Sequence, residues 1–317
     1  MFQKLRTFVP VIFGRKVVFL RGMKPSRLVL VFSLVLSSAL SSCGSQTNSS
    51  ASTSVETLPV TDTSDVVPSS TITSSTTSIA VSTQKTIGVY FTKNELMSVV
   101  GRLVETPNIE EALHSLLLGP TDIENQDGVT SFIPKGTQLL SAEISGSTAT
   151  IDLSHEFTTG GGSLSMMGRI AEVVYTATSF SEVERVTIRI DGVSVEQIGG
   201  EGIDVSDIGR SDFADFSPLI LVDSPVPHQI VSHDIRIKGM SNTYEAGINY
   251  QVISTDGTVI FEGYTMASSG TGTWGTFDHV IETLPASVIG DVVLKVFEYS
   301  PKDSEPINAM FIPLTVE

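Results

Sequence analysis

A chain of 317 residues with a net charge of −16 repels nucleic acid and anionic membrane surfaces, so neither is expected as a direct partner. Its single cysteine excludes an intramolecular disulfide framework, and each domain must therefore bury an apolar core of its own. The acidity lies downstream: residues 1–42 hold seven of the 19 Lys and Arg and no Asp or Glu, leaving 12 basic against 35 acidic residues and a net of −23 for the remainder.

The first predicted element is an export signal. Lys24 and Arg27 precede an apolar stretch from Leu28 to Leu40, and Leu40-Ser41-Ser42-Cys43 ends it with small residues before the cysteine. A charged start, a short apolar core and a small-residue cleavage site, in that order, make a secretory signal. Here the pattern reads as a bacterial lipoprotein signal over residues 1–42, with Leu40, Ser41 and Ser42 as the cleavage motif and Cys43 as the lipid-attachment residue. The apolar run is shorter than the roughly 20 residues of a spanning helix. Membrane contact is therefore expected only through acyl chains on Cys43, each buried methylene contributing about 0.8 kcal/mol. The rest of the chain is expected on the outer face of the cytoplasmic membrane. Met23 to Cys43 is already a complete signal, so a start at Met1 or at Met23 gives the same mature protein.

Residues 43–84 are rich in Ser and Thr with scattered Pro and Asp. Such a composition buries too little apolar surface to offset its ordering entropy, and a disordered tether is expected. Forty flexible residues span roughly 35 Å on average and about 130 Å when taut.

About 230 residues remain, which suggests two domains. In the first, residues 85–203, Ile87, Val89 and Phe91 alternate with Gly88 and Tyr90 as a strand, and Thr106-Pro107 opens a helix. Ile109, Leu113, Leu116 and Leu117 share one face of that helix, and Gly119-Pro120 stops it. A hairpin follows, Leu139 to Ile144 and Thr148 to Leu153 around Ser145-Gly146-Ser147. Gly160-Gly161-Gly162-Ser163 leads into a second helix carrying Met166, Ile170, Val173, Val174 and Ala177 at the 3.6 period. Val186, Ile188 and Ile190 then alternate as a strand. The order βαββαβ predicts a two-layer α+β domain with helices on one face of the sheet.

Residues 204–217 continue a glycine-rich, acidic stretch and are expected to be a linker that lets the domains move independently. Residues 218–317 hold seven short strands at sandwich spacing: 219–222, 235–238, 247–254, 259–266, 273–281, 292–299 and 309–316. Asp256-Gly257 is a two-residue hairpin signal. An all-β immunoglobulin-like sandwich without a disulfide is expected, with Trp274 and Phe277 in or near its core.

Three stretches of the first domain resemble the GerMN domain of sporulation and spore germination lipoproteins. They are Ala112-Leu113-His114-Ser115-Leu116-Leu117-Leu118-Gly119-Pro120, Ile133-Pro134-Lys135-Gly136-Thr137, and Ala149-Thr150-Ile151-Asp152-Leu153-Ser154-His155-Glu156-Phe157. The second domain is similar to the immunoglobulin-like domain of bacterial spore germination (Gmad type) through Pro218-Leu219-Ile220-Leu221-Val222, Tyr244-Glu245-Ala246, Gly272-Thr273-Trp274-Gly275-Thr276-Phe277 and Val296-Phe297-Glu298-Tyr299. The resemblance implies a module like those that build ring assemblies in spore envelopes, followed by a binding sandwich. It supplies no catalytic residue and does not imply that the bacterium sporulates.

The motifs point away from catalysis. His114, His155, His228, His233 and His279 show no HExxH spacing and have no paired cysteines, so no metal site is expected. There is no G-x-S-x-G elbow. Gly160 to Ser163 reads as a helix entry, with anion binding at the helix start as the alternative. Asp122 to Gly128 misses the register of a calcium loop and reads as a polar loop. Asp204, Asp207, Asp212 and Asp215 read as a solvated linker, with calcium binding as the alternative.

The expected function is a non-enzymatic, cofactor-free envelope lipoprotein that acts through envelope proteins or self-association. The alternative is a peptidoglycan- or glycan-binding lipoprotein that stacks Tyr244, Tyr264 and Trp274 on sugar rings. A third reading, a wall hydrolase, would use Asp152 and Glu156 as paired carboxylates.

Overall fold

The computed structural model describes residues 84–281 and 284–317. The signal with Met23, Leu40, Ser41 and Ser42, the lipid-attachment residue Cys43, and nearly all of the tether lie outside the described residues.

Strands β1 (Lys85–Lys93) and β2 (Leu96–Val104) form an antiparallel hairpin that pairs Lys93 with Leu96. Its two-residue turn, Asn94-Glu95, has positive φ at both positions, 53° and 65°, which matches the twist of the flanking strands. The strand β2 does not alternate cleanly, because adjacent Val99 and Val100 are both buried, and the sequence reading passed over it. Helix α1 (Ile109–Leu118) is capped by Asn108, whose side chain accepts from the Glu111 N–H at 2.8 Å, two residues beyond the predicted Thr106 cap. Gly119 ends it at φ 81°. The expected polar loop at 122–128 contains a short helix α2 (Asp122–Gln126), which Thr121 and Glu124 cap reciprocally. Next come β3 (Val129–Thr130), β4 (Leu139–Ser145), β5 (Thr148–Leu153), α3 (Ser163–Ala177), β6 (Arg185–Ile190), β7 (Val193–Ser194), β8 (Gln197–Ile198) and β9 (Ile203–Asp204).

The predicted βαββαβ skeleton is present in an α+β domain, with its strands divided between two main sheets, β2-β1-β3 and β4-β5-β6-β7. In the second, β5 and β6 run parallel on either side of α3 in sequence. Helix α3 is buried nearly all round from Met166 to Ala177, Arg169 and Glu172 included. It is a central helix, not one lying on a sheet with a solvated back.

The C-terminal domain is the expected sandwich. Its strands are β10 (Ile220–Ser224), β11 (Gln229–Val231), β12 (Arg236–Ser241), β13 (Gly247–Ser254), β14 (Val259–Met266), β15 (Gly275–Val280), β16 (Gly290–Tyr299) and β17 (Pro306–Val316). They form one sheet in the order β10-β12-β15 and another in the order β11-β17-β16-β13-β14. Alternate residues Ile248, Tyr250 and Val252, then Val292, Leu294 and Val296, then Ile312, Leu314 and Val316 enter the core. Each contributes about 1.5–3 kcal/mol on burial. Phe277 is in this core, and Trp274 stays half-buried at its margin.

The two domains fall within a single compact unit. The apolar core of the first continues through Phe213 and Phe216 of the 3-10 segment Arg210–Phe216 to Leu221 and Val226 of the sandwich. One face of the hairpin is made bare by glycine so that the turn at 226–227 can approach it. A Cβ on Gly101 would lie 2.0 Å from the Pro227 carbonyl oxygen, and one on Gly88 would lie 3.0 Å from Val226 Cγ1. The glycines at 199–209 suggested free relative motion, yet the segment they introduce is pinned by two buried phenylalanines.

Candidate interaction site between the domains

Arg210 is the centre of the joint. Its guanidinium lies between the rings of Tyr90 and Tyr175, 5.2 and 4.9 Å from their centroids, and pairs with both oxygens of Asp223 through Nη1 at 2.7 and 2.9 Å. Nε donates to Thr178 Oγ1 at 2.8 Å and Nη2 to the Tyr175 carbonyl at 3.2 Å. The Tyr90 hydroxyl donates to Asp223 as well. Tyr175 reaches Ser217 at 2.9 Å. First domain, joint and sandwich are thus held by one cation and its partners. Burial alone would lower the pKa of Arg210, but the Asp223 carboxylate and the phenols outweigh it and hold it above the usual arginine value. Burial, reinforced by Asp223, keeps the Tyr90 phenol well above its ordinary range. The hydrogen bonds of Arg210 all go to groups of the protein itself, and the chemistry of the cluster is that of a fastener.

Beside the fastener a half-open cleft of about 760 Å3 separates the domains, within the size range of ligand sites. The hairpin turn and Leu96–Val99 form one wall, Ser217–Ile220 a second, and Asn308–Phe311 of β17 a third, with Pro227 between. Met97, Leu219, Met310 and Phe311 make it apolar, and among the described residues Lys93 is the only charged one lining it.

A second, shallower depression of about 300 Å3 lies on the five-stranded sheet, where Tyr264 and Tyr299 flank Asn249, Gln251 and Glu262. Of the three aromatic residues named from sequence, only Tyr264, 74 % exposed, is here. Tyr244 is half-exposed at the entry to β13, and Trp274 lines a different groove with Arg210 and Lys238. Sequence reasoning missed Tyr299 and Phe311, whose exposure depends on which strand face points outward.

The other sequence candidates have local partners. Asp152 accepts from the Gly192 N–H at 3.0 Å and Glu156 from the Ser154 hydroxyl at 2.5 Å, so each has its own local role. The Glu156 carboxyl is held below its usual pKa chiefly by that hydroxyl. Of Gly160 to Ser163, Gly160 is tied down from within, while Gly161, Gly162 and Ser163 line a small depression with Gly199, Gly200 and Glu201. Arg169, 2 % exposed, donates to the carbonyls of Phe157, Thr159 and Gly160 and to Ser165. Asp204 accepts from Gln197, while Asp207 and Asp212 face Arg185 at 3.1 and 3.5 Å. Among the described residues no group of three His, Cys, Asp or Glu is placed to hold a metal ion, and no helix is long and apolar enough to cross a membrane. His114, His155 and His228 are exposed, His233 and His279 half-buried.

Residues 88–196 match the family model described as sporulation and spore germination, and residues 219–305 match that of the immunoglobulin-like domain of bacterial spore germination. No curated protein matches the chain. Among solved structures, the chain is similar to the first GerMN domain of the sporulation protein GerM from Bacillus subtilis, at 22 % identity over 39 % of this chain and 96 % of that one, TM-score 0.32. It is similar to the tandem GerMN domains of the same protein at 18 % identity over 62 % and 61 %, TM-score 0.35. It is also similar to a candidate lipoprotein from Clostridium perfringens at 23 % identity over 41 % and 89 %, TM-score 0.30.

Proposed function

From a chain that carries a sporulation-and-germination domain followed by the immunoglobulin-like domain of bacterial spore germination, we propose a membrane-anchored envelope lipoprotein that acts by protein contact. The supporting observation is the Arg210 fastener, which makes two domains one body and leaves an apolar cleft between them. A rigid body on a tether rooted at Cys43 presents that cleft in a fixed relation to the rest of its surface. Such preorganisation lowers the ordering cost of association.

Crosslinking of the tagged protein in cells tests this. Self-crosslinks or a stoichiometric envelope partner are expected, and a strictly monomeric protein with no partner would sink the reading. The anchor has its own test: Cys43→Ser should move the protein from the membrane fraction to the soluble exported fraction, and retention on the membrane would remove the lipid from the account.

The second reading, glycan binding, is supported by the depression where Tyr264 and Tyr299 flank amide and carboxylate groups. Aromatic faces against sugar rings, with polar groups for the hydroxyls, are the chemistry it needs. Cosedimentation with purified peptidoglycan that survives Tyr264→Ala and Tyr299→Ala would refute that surface as the site.

A further inference from the structure

We propose that the interdomain cleft binds an extended peptide segment of a partner protein as an added β-strand beside Ala309–Phe311 of β17. The proposal deepens the assembly reading and rests on it for the existence of a protein partner.

Side chains of a strand point alternately to opposite faces. Consecutive residues of a regular strand therefore line one cavity where the strand turns its edge toward it. Leu96 to Val99 of β2 do so on one wall, and Ala309 to Phe311 of β17 do so on the facing wall, next to the bulge at which Asn308 has φ 53° and donates to Glu298. Strand β2 is the outermost of its sheet and β10 of its own. Strand β17 has β16 along almost its full length on one side, but β11 covers only Leu314, Thr315 and Val316 on the other.

One further bond extends that lane, from the His228 N–H to the Pro313 carbonyl at 2.7 Å. There the lane stops. Pro227 and Pro225 carry no N–H, and the chain leaves over Gly101. The row of backbone groups that proline leaves uncovered matches the repeat of another extended backbone.

The lining specifies the side chains. Leu96, Leu219 and Phe311, all exposed, suit apolar residues at alternate positions. Lys93 is exposed at one end and has no ion-pair partner among the described residues. A cation as the only charge of a cleft, in a chain so acidic overall, favours a carboxylate on the incoming segment. The occupant is thus an extended, alternately apolar peptide with one acidic residue.

A random dodecapeptide library displayed on phage, panned on the full-length protein in detergent, supplies the probe. Selected peptides, fluorescein-labelled, are then titrated by anisotropy. Enrichment of alternating apolar sequences with an Asp or Glu is expected. N-methylation of alternate peptide nitrogens in one of the two registers should weaken binding about tenfold or more. Lys93→Glu, at an exposed position, should weaken it similarly while leaving the melting temperature unchanged. Failure to enrich any peptide, or equal tolerance of N-methylation in both registers, would overturn the proposal. A wild-type dimer that Lys93→Glu dissociates without peptide would overturn it in favour of a second copy. Envelope crosslinks that persist while peptide selection fails would remove the cleft and leave the assembly reading standing.

Discussion

Glu172 lies fully buried on α3, where it accepts from the Ser131 hydroxyl at 2.6 Å and the Phe132 N–H at 2.9 Å. Burial pushes its carboxyl up from 4.5 to about 8, against the hydrogen bonds from Ser131 and Phe132, which lower it. The folded state therefore binds a proton that the unfolded state has lost across the interval from 4.5 to about 8. By linkage, stability contributed by the protonated form is present below the unfolded value and is lost as pH rises through this window. At 1.36 kcal/mol per pKa unit, the loss amounts to roughly 4 kcal/mol by pH 8. In a folded part of this size that is on the order of 10 °C in melting temperature.

Glu172→Gln imitates the protonated acid. Its carbonyl still accepts from Phe132, and its amide can donate to Ser131. Guanidinium melts of both proteins at several values between pH 5 and pH 8.5 should coincide near pH 5 and diverge steadily, with the variant more stable at the alkaline end. Parallel curves, or a variant weaker at every pH, would show that the site holds an ionised carboxylate and that the burial argument is wrong.

The domain junction offers two further tests. Gly101→Ala would set a methyl group 2.0 Å from the Pro227 oxygen. It should cost about 1–3 kcal/mol or more as an overpacked contact and enlarge the radius of gyration in small-angle scattering; an unchanged radius and melt would deny the close approach. Arg210→Met leaves the Asp223 carboxylate, 19 % exposed, without its cation, and a loss of about 3 kcal/mol is expected, at the lower end for buried pairs because of that exposure. Adding Asp223→Leu should restore part of it, and strictly additive losses in the double variant would argue against a coupled pair. Inside the first domain, Gly168→Ala gains about 1 kcal/mol of helix propensity. It also drives a methyl group to 2.2 Å from the Phe132 ring, so a net destabilisation in thermal melts is expected, and a stabilised variant would show that the ring moves freely.

Much of this fold could be read from residue order. The seven sandwich strands follow from strict alternation against turns such as Asp256-Gly257, where Gly257 has φ 88°. What escaped has physical reasons. Strand β2 is buried on both faces at Val99 and Val100, so its period is blurred. Strand β11 spans only Gln229–Val231 and follows two prolines. The joint looked mobile because glycines and aspartates dominate it, while the residues that pin it, Phe213, Phe216 and Arg210, find their partners far away in sequence. The cleft was invisible for a related reason: an unpaired edge is a property of sheet order, and no local motif announces it. Glu172 could have been suspected as a lone acid within the apolar run of α3.

The order of strands also sets when the molecule can exist. The C-terminal strand β17 is not at the rim of its sheet but between β11 and β16. Any process that releases the chain from its N-terminus onward, whether synthesis or transport, delivers that interior strand after every other strand of the sandwich. Until residues 306–316 emerge, β16 lacks a neighbour, β11 has nothing to pair with, and the sandwich cannot close over Leu294 and Val296. A chain cut before Pro306 would lose far more structure than the one strand removed. Arrival of β17 thus acts as a checkpoint, and a chain lacking it would show itself to proteases by its open sheet.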